Sequence, residues 1–363
     1  MNFRSSCHLS AIVVCMFAWT NMVRKVEAVP VTSDPPPVTS GLIVELNGEN
    51  LSAGVLSIWT DQASSGAGTF QNYVQGTAGN QPSVSAGFAM PNTLTSNVVT
   101  FARGSTSGSG SSQTNSDYLR SVQNGADAST TAGADAAYQL TQVTYFTVFN
   151  STLGGTTADN RQRQIAFVAN YSSGGTNATL ITQTNQSGFD ANGAAVAASG
   201  LTDLYVAARN IGGGQEGAGV PNMPTSRWYI SANSWDTVSG AFRMLLFDEL
   251  GNVVDRSLPN IYAGALSTHT MSALGAFPNP TAVATTSGQA LTGNIAEFLM
   301  YDTALGTGAV NQVVNYLNNK YFGAATVLPV PEVSSFLLVG MSFLVGGGAW
   351  AVRRGMAKQS SVN

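Results

Sequence analysis

The chain is almost without cysteine. Its only two, Cys7 and Cys15, both lie within the first 28 residues. A body that starts later has no disulfide, no thiolate metal site and no cysteine nucleophile, so core burial must hold it together. Histidine is as scarce. His8 lies in the same opening stretch, which leaves His269, in "STHTM", as the body's one histidine. Zinc sites rich in histidine are excluded by number. A Ser–His–Asp triad would have to use His269, whose Ser/Thr-rich setting reads as a surface strand or loop. Charge is the third shortage. Only 9% of the 363 residues are charged, against about a quarter in ordinary globular domains. Between Val29 and Gly323 nine Lys or Arg face seventeen Asp or Glu, a net of −8 without a basic run. Nucleic acid is therefore not an expected partner.

Short apolar runs separated by turn residues fill the body: "LIVEL", "VLSIW", "NVVTFA", "VTYFTVF", "QIAFVANY", "LYVAARN", "RWYISANSW", "FRMLLFD" and "IAEFLMY". In "VTYFTVF" both alternating sets carry apolar groups, as in a strand held between two layers. The pattern predicts an all-β fold, a two-sheet antiparallel sandwich. One segment differs. In "AVNQVVNYLNNKYFG", Val310, Val313, Val314, Leu317 and Tyr321 fall at helical spacing, and Gly323 supplies a stop. A single short amphipathic helix is expected to close the body. The polar stretches Arg103–Asp117 and Asn210–Ser226 read as loops.

Both ends read as processing segments. Arg4, the apolar run Leu9–Trp19 and Val26-Glu27-Ala28 have the layout of a signal peptide over residues 1–28, cleaved after Ala28. The competing reading is an uncleaved anchor. Residues 29–40 form a Pro-rich linker, 41–323 the body and 324–329 a second linker. From Ser334 to Val352 runs an apolar segment long enough to cross a hydrocarbon core. Arg353, Arg354 and Lys358 follow it and would stay on the cytoplasmic side, with 356–363 as a cytoplasmic tail. Export machinery and a membrane are thus expected partners.

Several stretches resemble known families. "LIVELNGEN…VLSIWTDQASSGAG", "NQPSV", "VVTFARG…SDYL" and the closing "GNIAEFLMYDTALGTGAVNQVVNYLNNKYFG" are similar to bacterial concanavalin A-like or laminin G-like jelly-roll domains. One extra residue precedes Gly66 in the Trp59–Gly66 turn. The tail over 330–355 resembles the PEP-CTERM sorting domain through Val330, Pro331 and Glu332, although Val333 stands where that family has a second proline. The first resemblance implies glycan recognition or adhesion by a jelly roll. The second implies an exosortase-like sorting peptidase and a cell-surface or extracellular-matrix destination.

The residues themselves say less about chemistry. Trp59, Asp61 and Glu297 read first as architecture: a buried ring, a carboxylate bonded to a turn, and either an outward residue or a buried acid with a partner. No Glu-x-Asp-x-x-Glu spacing is present, and Asp248 and Glu249 are adjacent, so on a strand they would face opposite ways. Asp236 and Glu297 could meet only through separate strands. Calcium, which loop oxygens bind, stays open as a ligand; no other cofactor is implied. Trp228, Tyr229, Trp235 and Asp236 are the candidate sugar contacts, although alternation in "RWYISANSWD" buries at least one tryptophan. Five Asn-x-Ser/Thr sequons are present, at Asn50, Asn150, Asn170, Asn177 and Asn185, and the cluster from Asn150 to Asn185 is expected to be exposed. A noncatalytic glycan-binding or adhesive protein, with extracellular polysaccharide as its ligand, is the leading reading. A polysaccharide hydrolase or lyase and a coat protein without small ligand are the alternatives.

Overall fold

Two antiparallel sheets dominate the computed structural model. It describes residues 35–63, 72–75, 78–102, 105–106, 112–114, 116–122, 142–152, 162–172, 175–184, 204–209, 215–220, 224, 226–236, 238–258, 269–278, 285–287 and 290–330. The expected signal segment with Ala28, Pro331 and Glu332 of the sorting motif, the apolar run Ser334–Val352, and Arg353 and Arg354 lie outside the described residues. Among the described residues no helix is long and apolar enough to cross a membrane.

The first sheet runs, in spatial order, Val253–Leu258, Phe242–Asp248, Trp228–Asp236, Gln142–Ser151, Gly293–Tyr301, Thr95–Phe101, Ser83–Ala89 and Gly54–Val55, and Leu42–Asn47 also pairs with Gly293–Tyr301. The second runs Gln215–Val220, Leu204–Arg209, Gly175–Thr184, Gln162–Ser172, His269–Leu274, Leu119–Val122, Asn72–Val74 and Ile58–Thr60. A small third sheet joins Phe277–Pro278, Thr285–Ser287, Ser112–Thr114 and Ser105–Thr106.

Alternation along the central strands, shifted once by a bulge between Ile295 and Glu297, explains the layering. Within Gly293–Tyr301, Ile295, Phe298 and Met300 enter a core shared with Trp59, Tyr73, Leu119 and Leu274 of the second sheet. Tyr73 meets Phe298 edge-on, with ring centroids 5.9 Å apart, so the two sheets touch directly. Ala296, Leu299 and Tyr301 face the other way, into a second cluster closed by Val310, Val313, Val314, Leu317 and Tyr321. Apolar groups on both faces of "VTYFTVF" follow from this. One face meets the second sheet and the other meets a helix, so the strand is buried twice.

That helix, α1 (Thr307–Leu317), ends in a π-helical turn, Asn318–Phe322, capped by Gly323 at φ +61. It is the one α-helix among the described residues, and its apolar face is the one the spacing predicts. Gly293 is fixed by close approach instead, because a Cβ there would collide with the backbone carbonyl of Asn150.

Two expectations need correction. Arg103–Asp117 was to be an unpacked loop, yet Ser105–Thr106 and Ser112–Thr114 pair as strands and Ser116 is fully buried. Asn210–Ser226 contains the strand Gln215–Val220, which pairs with Leu204–Arg209. Backbone ladders need no side-chain pattern, so Gly-rich text conceals such strands. The linker 324–329 is also bonded to α1, as developed below. On the entry side, Val38 O accepts from Tyr301 Oη at 3.0 Å, so the end of the first linker is docked as well.

Candidate functional site

Trp228 and Trp235 are seven residues apart on one strand, an odd spacing that sends them to opposite faces. Trp235 is fully buried in the core between the sheets, and Trp228 is buried in the helix-side cluster. Tyr229 is buried too, its hydroxyl donating to Pro224 O at 2.9 Å. The candidate aromatic platform is therefore not assembled. Burial of at least one tryptophan was expected, and both are buried.

Asp236 has a different position. It lines a cleft of about 430 Å³ on the helix side of the first sheet. The floor is a row of residues in register across neighbouring strands: Ser234 lies opposite Arg243, and Arg243 opposite Ser257. Thr144, opposite Ser234 on the other side, carries the row inward, with its Oγ1 3.1 Å from Ser234 Oγ. Thr144 also accepts from Leu305 N at 2.9 Å, which pins the loop before α1 against the cleft. Leu305, Gly306 and Thr307 form the facing wall. Gly306 is the N-cap of α1 and has no side chain to cap with. First-turn backbone N–H groups, which lack intrahelical acceptors, thus begin at this wall.

Asp255 holds the Arg243 guanidinium in a fork, with Nε–Oδ1 at 3.0 Å and Nη2–Oδ2 at 2.7 Å. Such bidentate pairs fix orientation as well as charge. Asp236 accepts from Ser239 Oγ at 2.7 Å and Val238 N at 2.9 Å, and these bonds hold its pKa below the usual carboxylate value. Ser234, Arg243 and Ser257 were not foreseen. Only Arg243 stands out in sequence, as a charge within an apolar run; Ser234 and Ser257 lie among neighbouring polar residues, and register alone shows that the three meet.

The other acids are structural. Glu297 is fully buried beneath α1, where its Oε2 accepts from Lys320 Nζ and Tyr321 Oη, each at 2.7 Å. Of the two roles left open for it, the buried, partnered acid is the one observed. Asp236 sits opposite Gln142 and Glu297 opposite Val148 on the intervening strand. Six strand residues separate them by about 20 Å. Asp248 accepts from Arg227 Nη1 at 2.9 Å and from Asn252 N at 2.8 Å, while Glu249 accepts from Trp228 N at 3.1 Å. Asp248 thus organises the turn that follows the strand, and Glu249 ties that turn to the start of the neighbouring strand. Among the described residues no three of His, Cys, Asp and Glu converge on a metal position. His269 lies in a paired strand, with its backbone opposite Ala169. The sequon residue Asn150 is buried and accepts from Asn294 Nδ2 at 3.1 Å, so it does not belong to an exposed acceptor region.

Two further aspartates are held against their solvation. Asp61 accepts from Glu45 N at 2.8 Å and Ala63 N at 2.9 Å, as its turn position implied, yet burial raises its pKa to about 6. Burial likewise raises Asp117, which accepts from Ala102 N, to about 6. Both native pKa values exceed the ordinary aspartate value of 3.8, so the folded chain holds protons that the unfolded chain has released. Stability therefore falls as pH rises through the window between those values and is level above it. Glu45, raised by burial, acts in the same direction, and Asp236, held low by its Ser239 hydrogen bond, acts against it. Melting followed by circular dichroism should give a Tm a few degrees higher at pH 5 than at pH 7, and Asp61→Asn should narrow the gap. An equal or lower Tm at pH 5 would contradict this.

No protein-family model matches the chain, and no curated protein matches it. Solved structures with a similar arrangement include the native heptameric SAP-like pentraxin from Limulus polyphemus, at 14% identity over 59% of this chain and 79% of that one, TM-score 0.36. The CBM40 of the Ruminococcus gnavus IT-sialidase, bound to α2,3 sialyllactose, is 14% identical over 47% of this chain and 81% of that one, TM-score 0.33. Trypanosoma rangeli sialidase is 10% identical over 85% of this chain but only 38% of that one, TM-score 0.40. At these TM-scores the likenesses assign neither ligand nor activity to the chain.

Proposed function

We propose that the chain is an exported, surface-associated jelly-roll protein that binds polysaccharide without cleaving it, and that the cleft beside α1 is its binding site. The polar row Ser234–Arg243–Ser257, with Asp236 at its edge, carries the reading. Hydroxyl, guanidinium and carboxylate groups on rigid strands offer both donors and acceptors to a polyhydroxy ligand. Leu258, Leu305 and Ala304 provide aliphatic surface for its C–H faces. The noncatalytic half rests on the carboxylates. Glycoside hydrolysis by the usual route needs a pair of them and a raised pKa on the acid. Among the described residues the cleft is lined by Asp236 alone of the carboxylates, and its pKa is shifted the other way. Export, the sorting tail and the cell-surface destination rest on the sequence segments at the two ends.

Retention on glycans that is lost when the cleft is filled tests the proposal. Ser257 is exposed on an edge strand, so Ser257→Trp fills the cleft at little expense to the fold.

A further inference from the structure

Beyond Gly323 the chain doubles back along α1 instead of leaving it. Asn311, Asn315 and Asn318, spaced by four and three residues, form one face of the helix and its terminal turn. All three carboxamides are bonded to the returning backbone. Asn318 Nδ2 donates to Ala324 O and Thr326 O, each at 3.1 Å, and its Oδ1 accepts from Ala324 N at 3.2 Å. Asn315 donates to Leu328 O at 2.9 Å and accepts from Leu328 N at 2.8 Å, as a paired strand would. Asn311 Nδ2 donates to Pro329 O at 2.7 Å. Leu328 is buried in the helix-side cluster, and Thr326 lies so close to Gly251 that a Cβ there would overlap it. The side chains of Ala325, Thr326 and Val327 are nonetheless exposed. The segment looks like a linker by side chain but is bound through its backbone.

We propose that Ala324–Pro329 is a docked strap that sets the C-terminal processing boundary of the domain at Val330. Endopeptidases take substrate as an extended chain and use its backbone groups, which the three asparagines already occupy. Cleavage within the strap then requires local opening, and its rate follows the population of the opened form. Among the described residues the clamp's last bond is to Pro329 O, and Val330 is also the first residue of the sorting-motif resemblance. A peptidase acting on the tail meets this bonded backbone at every peptide bond N-terminal to Val330, whether or not a sorting enzyme is involved.

Limited digestion of the full chain with subtilisin, with new C-termini read by mass spectrometry, tests the boundary. Wild-type protein should give early C-termini at Val330 or beyond. In Asn315→Ala, termini between Ala324 and Pro329 should appear at least about tenfold faster, the effect of losing a bidentate clamp. Wild-type termini within the strap, forming as fast as those beyond it, would overturn the proposal, as would an unchanged pattern in the variant. Hydrogen exchange on the wild type decides the matter even if the variant fails to fold. The amides of Ala324 and Leu328 should be protected and that of Val327 should not. Exchange of all three at the unstructured rate would also overturn it.

Discussion

Replacing Lys320 with Met should destabilise the body more than almost any other single polar substitution. Lys320 Nζ is 2.7 Å from Glu297 Oε2 and 3.6 Å from Glu49 Oε2, and it lies over the rings of Tyr321 and Tyr316 at 5.1 and 5.7 Å. Glu297 is wholly buried, and its Oε1 has no hydrogen-bond partner among the described residues. Removing the ammonium leaves a carboxylate in the interior with one tyrosine to bond it. Breaking a buried pair from one side costs about 3–5 kcal/mol. For a body of this size that lowers Tm by roughly 10 °C. Because the unpaired charge causes most of the loss, Glu297→Leu in the same chain should restore much of it. Thermal melts of the two single variants and the double variant give the coupling. If the double variant is as unstable as the sum of the singles, the pair is not what holds α1 to the sheet.

Trp59→Ala should have an effect of similar size for a different reason. Trp59 is fully buried between the sheets, and its Nε1 donates to Asn47 O at 3.4 Å. It belongs to the second sheet's edge strand Ile58–Thr60, where its neighbours Ile58 and Thr60 are exposed. That edge therefore joins the shared core largely through one ring. Its removal should cost about 3–5 kcal/mol through lost burial and an unfilled cavity. Denaturant unfolding of the variant should show a lower midpoint with the same slope. A midpoint within error of wild type would mean that the sheets are not held together at this edge.

Much of the architecture was legible because it depends on local period. Strand runs, the 3.6-residue spacing of Val310, Val313, Val314 and Leu317, and the αL stop at Gly323 are properties of neighbouring residues. Glu297 was legible in part. An acid inside "IAEFLMY" had to be paired or outward, but its partner is 23 residues later in a turn that no local rule connects to it. The cleft was legible least. Asp236 stands beside two tryptophans, a combination that suits a sugar, yet a strand sends Trp228 and Trp235 to opposite interiors. The residues that share the cleft with Asp236 come together through register between strands, which one sequence does not display. The docking of Ala324–Pro329 was not legible, because Ala, Thr, Val and Pro look uncommitted. Its binding uses backbone atoms, and the asparagines that hold it look like ordinary polar positions on a helix.

The most direct measurement is co-sedimentation with insoluble polysaccharides, with reducing ends assayed in the same tubes, for wild type and Ser257→Trp side by side. Wild-type protein should partition to at least one polysaccharide and release no reducing ends, and Ser257→Trp should remain in solution with an unchanged melting curve. Release of reducing ends by the wild type would show an enzyme instead of a binding protein. Equal retention of the plugged variant would show that the cleft beside α1 is not where the ligand sits.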